Sequence, residues 1–155
     1  MAVLRMTHIG ICVADLERAT RFYRDGLGFA YRSELRIGGA PTATLLQLPD
    51  CDLHAIYLER DGTRIELLHY IAPNAIGDGA PRPMHARGLT HLSLRVDSVA
   101  ETVAALRPLG GRVLDQTALD FPDFGAAAIF LTDPDGTLIE LVQSPGDPEL
   151  PPGAA

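Results

Sequence analysis

Four residues of this 155-residue chain have the types and spacing to do chemistry: His8, Glu66, His91 and Glu140. They are one pair written twice. Met6-Thr7-His8-Ile9-Gly10-Ile11 returns as Leu89-Thr90-His91-Leu92-Ser93-Leu94. Asp61-Gly62-Thr63-Arg64-Ile65-Glu66-Leu67 returns as Asp135-Gly136-Thr137-Leu138-Ile139-Glu140-Leu141. Taken singly, a strand histidine is more often a hydrogen-bonded structural residue, and a strand glutamate more often faces water. Here each glutamate stands between Ile and Leu, and a carboxylate in an apolar strand is costly unless paired, hydrogen-bonded or metal-bound. Two imidazoles with two carboxylates form a set that one divalent cation would neutralise. Such mixed nitrogen and oxygen donors suit Ni, Co, Zn, Mn or Fe(II).

The elements that must position these residues follow from the same repeat. Residues 6–13 alternate and read as a strand. Asp15 then caps a helix with Leu16, Ala19, Tyr23 and Leu27 at helical spacing, bracketed at its end by Gly26 and Gly28. Residues 29–37 read as a second strand and 40–49 as a short helix or a turn. Residues 53–60 and 63–70 form a hairpin on Asp61-Gly62. The second copy repeats the plan: strand 89–96, a helix at 99–109 opened by the capping box Ser98–Glu101, then strands at 112–117, 126–132 and 137–143. The Pro/Gly-rich stretch 72–87 reads as a linker between modules 6–71 and 88–144. The tail 145–155 holds four prolines and is expected to be loosely held. The expected fold is α+β, a single domain of two tandem βαβββ modules pairing into a cleft or half-barrel.

Side chains alternate across a strand. Ile9, Ile11 and Val13 therefore take the helix side, while His8, Gly10 and Cys12 take the other. Glu66 goes with Arg64, Leu68 and Tyr70; His91 with Ser93 and Arg95; Glu140 with Leu138 and Val142. All four ligand-type residues leave the helix side. Arg64, Tyr70, Ser93 and Arg95 share their side and are candidate substrate contacts. His69 has the opposite parity and reads as structural. His54 could reach the cavity, although a structural role is the commoner outcome, and His85 reads as solvated. Phe121 and Phe124 could form an apolar lid.

Composition narrows the function classes. A net charge of −7 disfavours nucleic acid as a partner. No run approaches the roughly 20 apolar residues that span a bilayer, and the N-terminus lacks a long apolar stretch, so a cytoplasmic protein is expected. All 13 basic residues are Arg. With no Lys there is no Schiff-base lysine, no lysine base and no Walker A lysine. Cys12 and Cys51 make neither a disulfide framework nor a zinc knuckle, and read as small apolar residues.

The Thr-His-Ile-Gly strand, the Asp-Leu-Glu-Arg-Ala helix start running into Phe22-Tyr23, and the closing Asp133-Pro134-Asp135-Gly136-Thr-Leu-Ile-Glu140-Leu resemble the vicinal oxygen chelate superfamily of glyoxalase I, methylmalonyl-CoA epimerase, extradiol dioxygenases and antibiotic resistance proteins. The resemblance spans about residues 6–144. It implies that His8, Glu66, His91 and Glu140 are the ligands of one divalent metal, and it is nearest to bacterial glyoxalase I, since the epimerases usually have Gln in place of Glu66. It also implies a homodimer acting on a small molecule. Two open metal positions would take vicinal substrate oxygens, and a carbon beside them would lose its proton. With no Lys, a glutamate is the leading base; the resemblance assigns the role to Glu140, with Glu66 as its symmetric partner. The expected enzyme is an isomerase, lyase or epimerase acting on a small carbonyl compound. An Fe(II) dioxygenase is the runner-up, and Glu66 as a fourth ligand argues against it. A non-enzymatic binding or resistance protein is the third reading, and the intact quartet counts against that.

Overall fold

The computed structural model describes residues 1–150. The chain divides into two compact units, Met1–Asp78 and a second beginning at Gly79. The division falls inside the stretch read as a linker.

In the first unit, β1 (Ile9–Cys12), α1 (Leu16–Arg21), β2 (Ala30–Gly38), α2 (Ala40–Leu46), β3 (Asp52–Arg60) and β4 (Thr63–Ala72) follow in order. The sheet runs β1-β4-β3-β2, with β1 parallel to β4 and the other pairs antiparallel. Asp15 caps α1 by accepting from the Arg18 amide at 2.9 Å. The helix continues as a π-helical turn over Phe22–Gly26. Ala19, Phe22 and Tyr23 on this helical stretch, Ile11, Ile65 and Leu67 on the strands and Val13 just past β1 are all buried. Each large side chain so buried contributes about 1.5–3 kcal/mol, which fixes the strands' parity. The β3–β4 hairpin turns on Asp61 and Gly62 at φ 50° and 73°, the mirror-image turn whose twist matches the flanking strands. The ambiguous 40–49 segment resolves as α2, closed by Gln47 in the left-handed region, with no buried residue.

In the second unit, β5 (Leu92–Arg95), α3 (Val99–Leu106), β6 (Arg112–Val113), β7 (Leu119–Phe121), β8 (Ala126–Thr132) and β9 (Leu138–Gln143) give the order β5-β9-β8-β6, with β7 also on β8. Again the first strand is parallel to the last. The Ser98 hydroxyl accepts from the Glu101 amide at 3.2 Å, as the capping box requires. Leu106, Leu131, Ile139 and Leu141 form the core of this unit. The strand expected at 112–117 pairs only over Arg112–Val113. Beyond it the Thr117 hydroxyl accepts from the Phe130 amide at 2.9 Å, so a side chain takes the place of the backbone ladder. β7, which the alternation did not indicate, then pairs antiparallel with Ala126–Ala128.

The turn before β9 is built on Asp133. Its buried carboxylate accepts from the amides of Asp135 at 2.9 Å and Thr137 at 2.8 Å. Gly136 there has φ 98°, and a Cβ on it would overlap the Gly79 carbonyl. That carbonyl also accepts from Arg112 Nη2 at 2.7 Å. At the start of the tail, Arg95 Nη2 donates to the carbonyls of Ser144 at 2.5 Å and Pro145 at 2.8 Å. Over 151–155 the expectation of a loosely held tail lies outside the described residues. Among the described residues no helix is long and apolar enough to cross a membrane.

Candidate metal centre

Each unit brings one histidine to one glutamate. His8 Nε2 lies 3.0 Å from Glu66 Oε2, and His91 Nε2 lies 3.5 Å from Glu140 Oε2. Within each unit, among the described residues, no third His, Cys, Asp or Glu joins the pair. Both histidines stand one residue ahead of the first strand residue, Ile9 and Leu92, not inside the strand as the alternation suggested.

The other ring nitrogens are also placed alike. Thr7 Oγ1 is 3.1 Å from His8 Nδ1, and Thr90 Oγ1 is 2.9 Å from His91 Nδ1. A ring that ligates through Nε2 must carry its proton on Nδ1 and give it to an acceptor. The Thr-His dipeptide supplies that acceptor in both copies. An Nε2 directed at a carboxylate, with the ring fixed from behind, would accommodate a divalent cation as the third member of the group once that nitrogen is free of its proton.

The sheets frame each carboxylate. Glu66 on β4 sits between Gly10 of β1 and Tyr57 of β3. Glu140 on β9 sits between Ser93 of β5 and Phe130 of β8. Tyr57 meets the His8 ring edge-on at 5.6 Å between centroids, and Phe130 meets His91 edge-on at 5.3 Å. Ser93 Oγ donates to Glu140 Oε2 at 2.7 Å. Burial, and then the neighbouring Glu66 carboxylate, push the Tyr57 hydroxyl up to about 12, so it stays neutral at ordinary pH. The Glu66 side chain is 11% exposed and that of Glu140 27%.

The remaining candidates separate. Ser93 is part of the Glu140 half-site. Arg64 is committed to Glu59 at 2.8 Å, and Arg32 holds the same carboxylate at 2.8 Å. Those two hydrogen bonds, Arg64's first, hold the Glu59 carboxyl below its usual range. Arg95 is committed to the tail carbonyls. Burial raises the Tyr70 hydroxyl above its ordinary value. His54 pairs in register with His69, so both lie on the face opposite Glu66, and His54 approaches Glu34 at 3.4 Å instead of the site. His69 Nδ1 is 3.4 Å from the Val13 carbonyl, a structural contact. Phe121 and Phe124 are exposed, as is His85. Cys51 is buried, Cys12 is exposed, and neither is in a disulfide. The alternation missed Tyr57 and Phe130. Hairpin counting would have found the first: with Arg60 opposite Thr63, Tyr57 must face Glu66.

The sequence model of the Glyoxalase/Bleomycin resistance protein/Dioxygenase superfamily matches residues 5–141. The ethylmalonyl-CoA/methylmalonyl-CoA epimerase of Cereibacter sphaeroides is 32% identical over 146 residues, covering 90% of this chain and 97% of its own. Mouse mitochondrial methylmalonyl-CoA epimerase is 30% identical over 142 residues, 90% of this chain and 73% of its own. The lactoylglutathione lyase of Haemophilus influenzae is 27% identical over 147 residues, 91% and 93%. Epimerases thus stand nearer than the lyase, where Glu66 had pointed to glyoxalase I. Among solved structures, a glyoxalase family protein from Bacillus cereus superimposes with a TM-score of 0.79 at 21% identity, covering 94% of this chain and 97% of that one. The two-sheet α+β architecture is the fold of that neighbour, and the chain belongs to the Glyoxalase/Bleomycin resistance protein/Dioxygenase superfamily.

Proposed function

We propose that this chain is a divalent-metal-dependent epimerase, inverting a carbon that carries an acidic proton beside a carbonyl, as in a 2-substituted malonyl thioester. The observation that carries this reading is the pairing of a histidine Nε2 with a carboxylate in both modules, on the side of each sheet away from its helix. The epimerase relatives, at 30% and 32% identity, support the reaction class.

His8, Glu66, His91 and Glu140 form the ligand set of one metal ion, one of Ni, Co, Zn, Mn or Fe(II). When bound, the metal supplies Lewis acidity to the carbonyl beside the reacting carbon. Thr7 and Thr90 hold the two imidazoles with Nε2 outward. Glu140, the more exposed carboxylate, takes the proton. Glu66, its symmetric partner in the duplicated module, serves mainly as a ligand. The protein acts as a single domain on a small molecule, as a homodimer in the cytoplasm.

A second reading is a glyoxalase I-type isomerisation of a 2-oxoaldehyde adduct. Glu66 itself favours it, since the epimerases usually have Gln there.

Metal analysis of the purified protein tests the site. Wild type should carry tightly bound metal, and the His8→Ala, His91→Ala double variant should lose it, because the remaining carboxylates cannot replace two neutral nitrogens. A double variant that kept a full equivalent would refute the ligand assignment. Proton NMR in deuterated solvent then separates the reactions. Exchange of the α-proton of methylmalonyl-CoA supports the epimerase. Turnover of the methylglyoxal–glutathione adduct alone would put the isomerase in its place.

A further inference from the structure

The duplicated half-sites differ in where their hydroxyl comes from. In the first unit the parallel neighbour of Glu66 is Gly10, which has no side chain, and the hydroxyl-bearing residue in register with the glutamate is the antiparallel neighbour Tyr57. In the second unit the antiparallel neighbour of Glu140 is Phe130, which has no hydroxyl, and the parallel neighbour Ser93 gives it. Tyr57 and Phe130 occupy equivalent places, each in register with its glutamate and edge-on to its histidine. Gly10 and Ser93 are likewise equivalent. Each carboxylate thus has one hydroxyl-bearing neighbour in register, on opposite flanks.

We infer that Tyr57 and Ser93 are reciprocal positioning residues, each fixing the carboxylate of its own half-site, and that they tune the two glutamates to different tasks. The inference rests on the metal-enzyme reading above. Tyr57 is a large, partly buried phenol on the less exposed carboxylate. It holds Glu66 in one orientation, as a ligand requires. Ser93 is a small rotor on the more exposed carboxylate. It steadies Glu140 Oε2 while the other oxygen is left to meet a proton. A hydrogen bond of this kind orients a ligand or base, and its loss typically costs about 10- to 100-fold in metal affinity or activity.

The test transplants the hydroxyl across the repeat. Co(II) affinity is measured by titration, and solvent exchange of the substrate α-proton gives kcat and KM. Tyr57→Phe should weaken Co(II) binding about 10-fold or more. Ser93→Ala should lower kcat by a similar factor at saturating Co(II), with KM moving much less. Adding Phe130→Tyr to Ser93→Ala should recover most of the lost kcat, because the hydroxyl returns from the flank that Tyr57 uses. Ser93→Thr should stand near wild type. If the alanine variant does not fold, Ser93→Cys repeats the comparison with similar volume and a weak donor. A Ser93→Ala variant (or Ser93→Cys in its place) that matched wild type in kcat would overturn the inference, as would a loss that neither Phe130→Tyr nor Ser93→Thr repairs. If wild type took up no Co(II), the metal-enzyme reading would fall and this inference with it. Uptake and exchange by wild type, with no effect of either hydroxyl, would remove the inference alone.

Discussion

The two units are the same plan executed with different depth. The first has four strands, three of them nine or ten residues long, and sets Glu66 at 11% side-chain exposure, 3.0 Å from its histidine. The second spreads its sheet over shorter strands, down to two residues in β6, and leaves Glu140 at 27%, 3.5 Å from its histidine. Long continuous ladders bury what lies between them, whereas short strands interrupted by helical turns leave more of the sheet face open. A duplicated motif therefore need not yield duplicate chemistry. One carboxylate is enclosed and the other remains approachable, which is the asymmetry that a ligand and a base would need.

The largest expected effect breaks that comparison directly. Glu140→Gln keeps shape and an oxygen donor but cannot accept a proton at neutral pH. It should retain metal yet lose about 100- to 10,000-fold in α-proton exchange. Glu66→Gln should lose far less at equal metal loading. Equal exchange rates in the two variants would sink the division of labour. Next come the Asp-Gly turns. Gly136→Ala meets both the left-handed backbone and the Gly79 carbonyl, and should destabilise by about 3 kcal/mol or more in urea unfolding. Gly62→Ala, with nothing within 4 Å of its Cβ position, should lose only about 1 kcal/mol. Similar losses would mean that the Gly79 contact yields easily. The helix caps should be alike: Asp15→Ala and Ser98→Ala each cost about 1 kcal/mol, read from the same unfolding curves.

The smallest effect is a titration. Tyrosine ionisation is read by absorbance near 295 nm, where the thiolates of Cys12 and Cys51 do not interfere. Tyr57 should ionise near 12 against an ordinary 10.0. A hydroxyl raised on folding contributes stability that is complete below about pH 10 and is lost as pH rises towards 12. Tyr57→Phe should therefore flatten the alkaline loss of stability. A Tyr57 that titrated with exposed tyrosines would contradict its burial beside Glu66.

Much of this was legible in the chain. The repeated Thr-His and Ile-Glu segments marked the residues of both His–Glu pairs, and alternation put Glu66 and Glu140 off the helix side because Ile65, Leu67, Ile139 and Leu141 must be buried. What alternation could not supply was lateral register. Tyr57 and Phe130 meet their glutamates only through strand pairing, and so does Ser93, whose hydrogen bond to Glu140 the alternation did not indicate. Strand limits in the second module were also blurred, since Thr117 replaces a backbone partner with its hydroxyl. The arginines misled for another reason: Arg64 and Arg95 lie on the expected face, but their long side chains reach Glu59 and the tail.

The contrast between the two Asp-Gly turns has a practical side. Nothing lies within 4 Å of a Cβ built on Gly62, and the β3–β4 hairpin ends there in open space. Gly136 is covered by Gly79, and the turn is tied from within by Asp133. A tag, a reporter domain or a longer loop spliced between Asp61 and Gly62 has room to project outward without parting the strands. The same graft between Asp135 and Gly136 would have to dislodge Gly79. The first hairpin tip is the place to lengthen this chain, and the second turn is the place to leave alone.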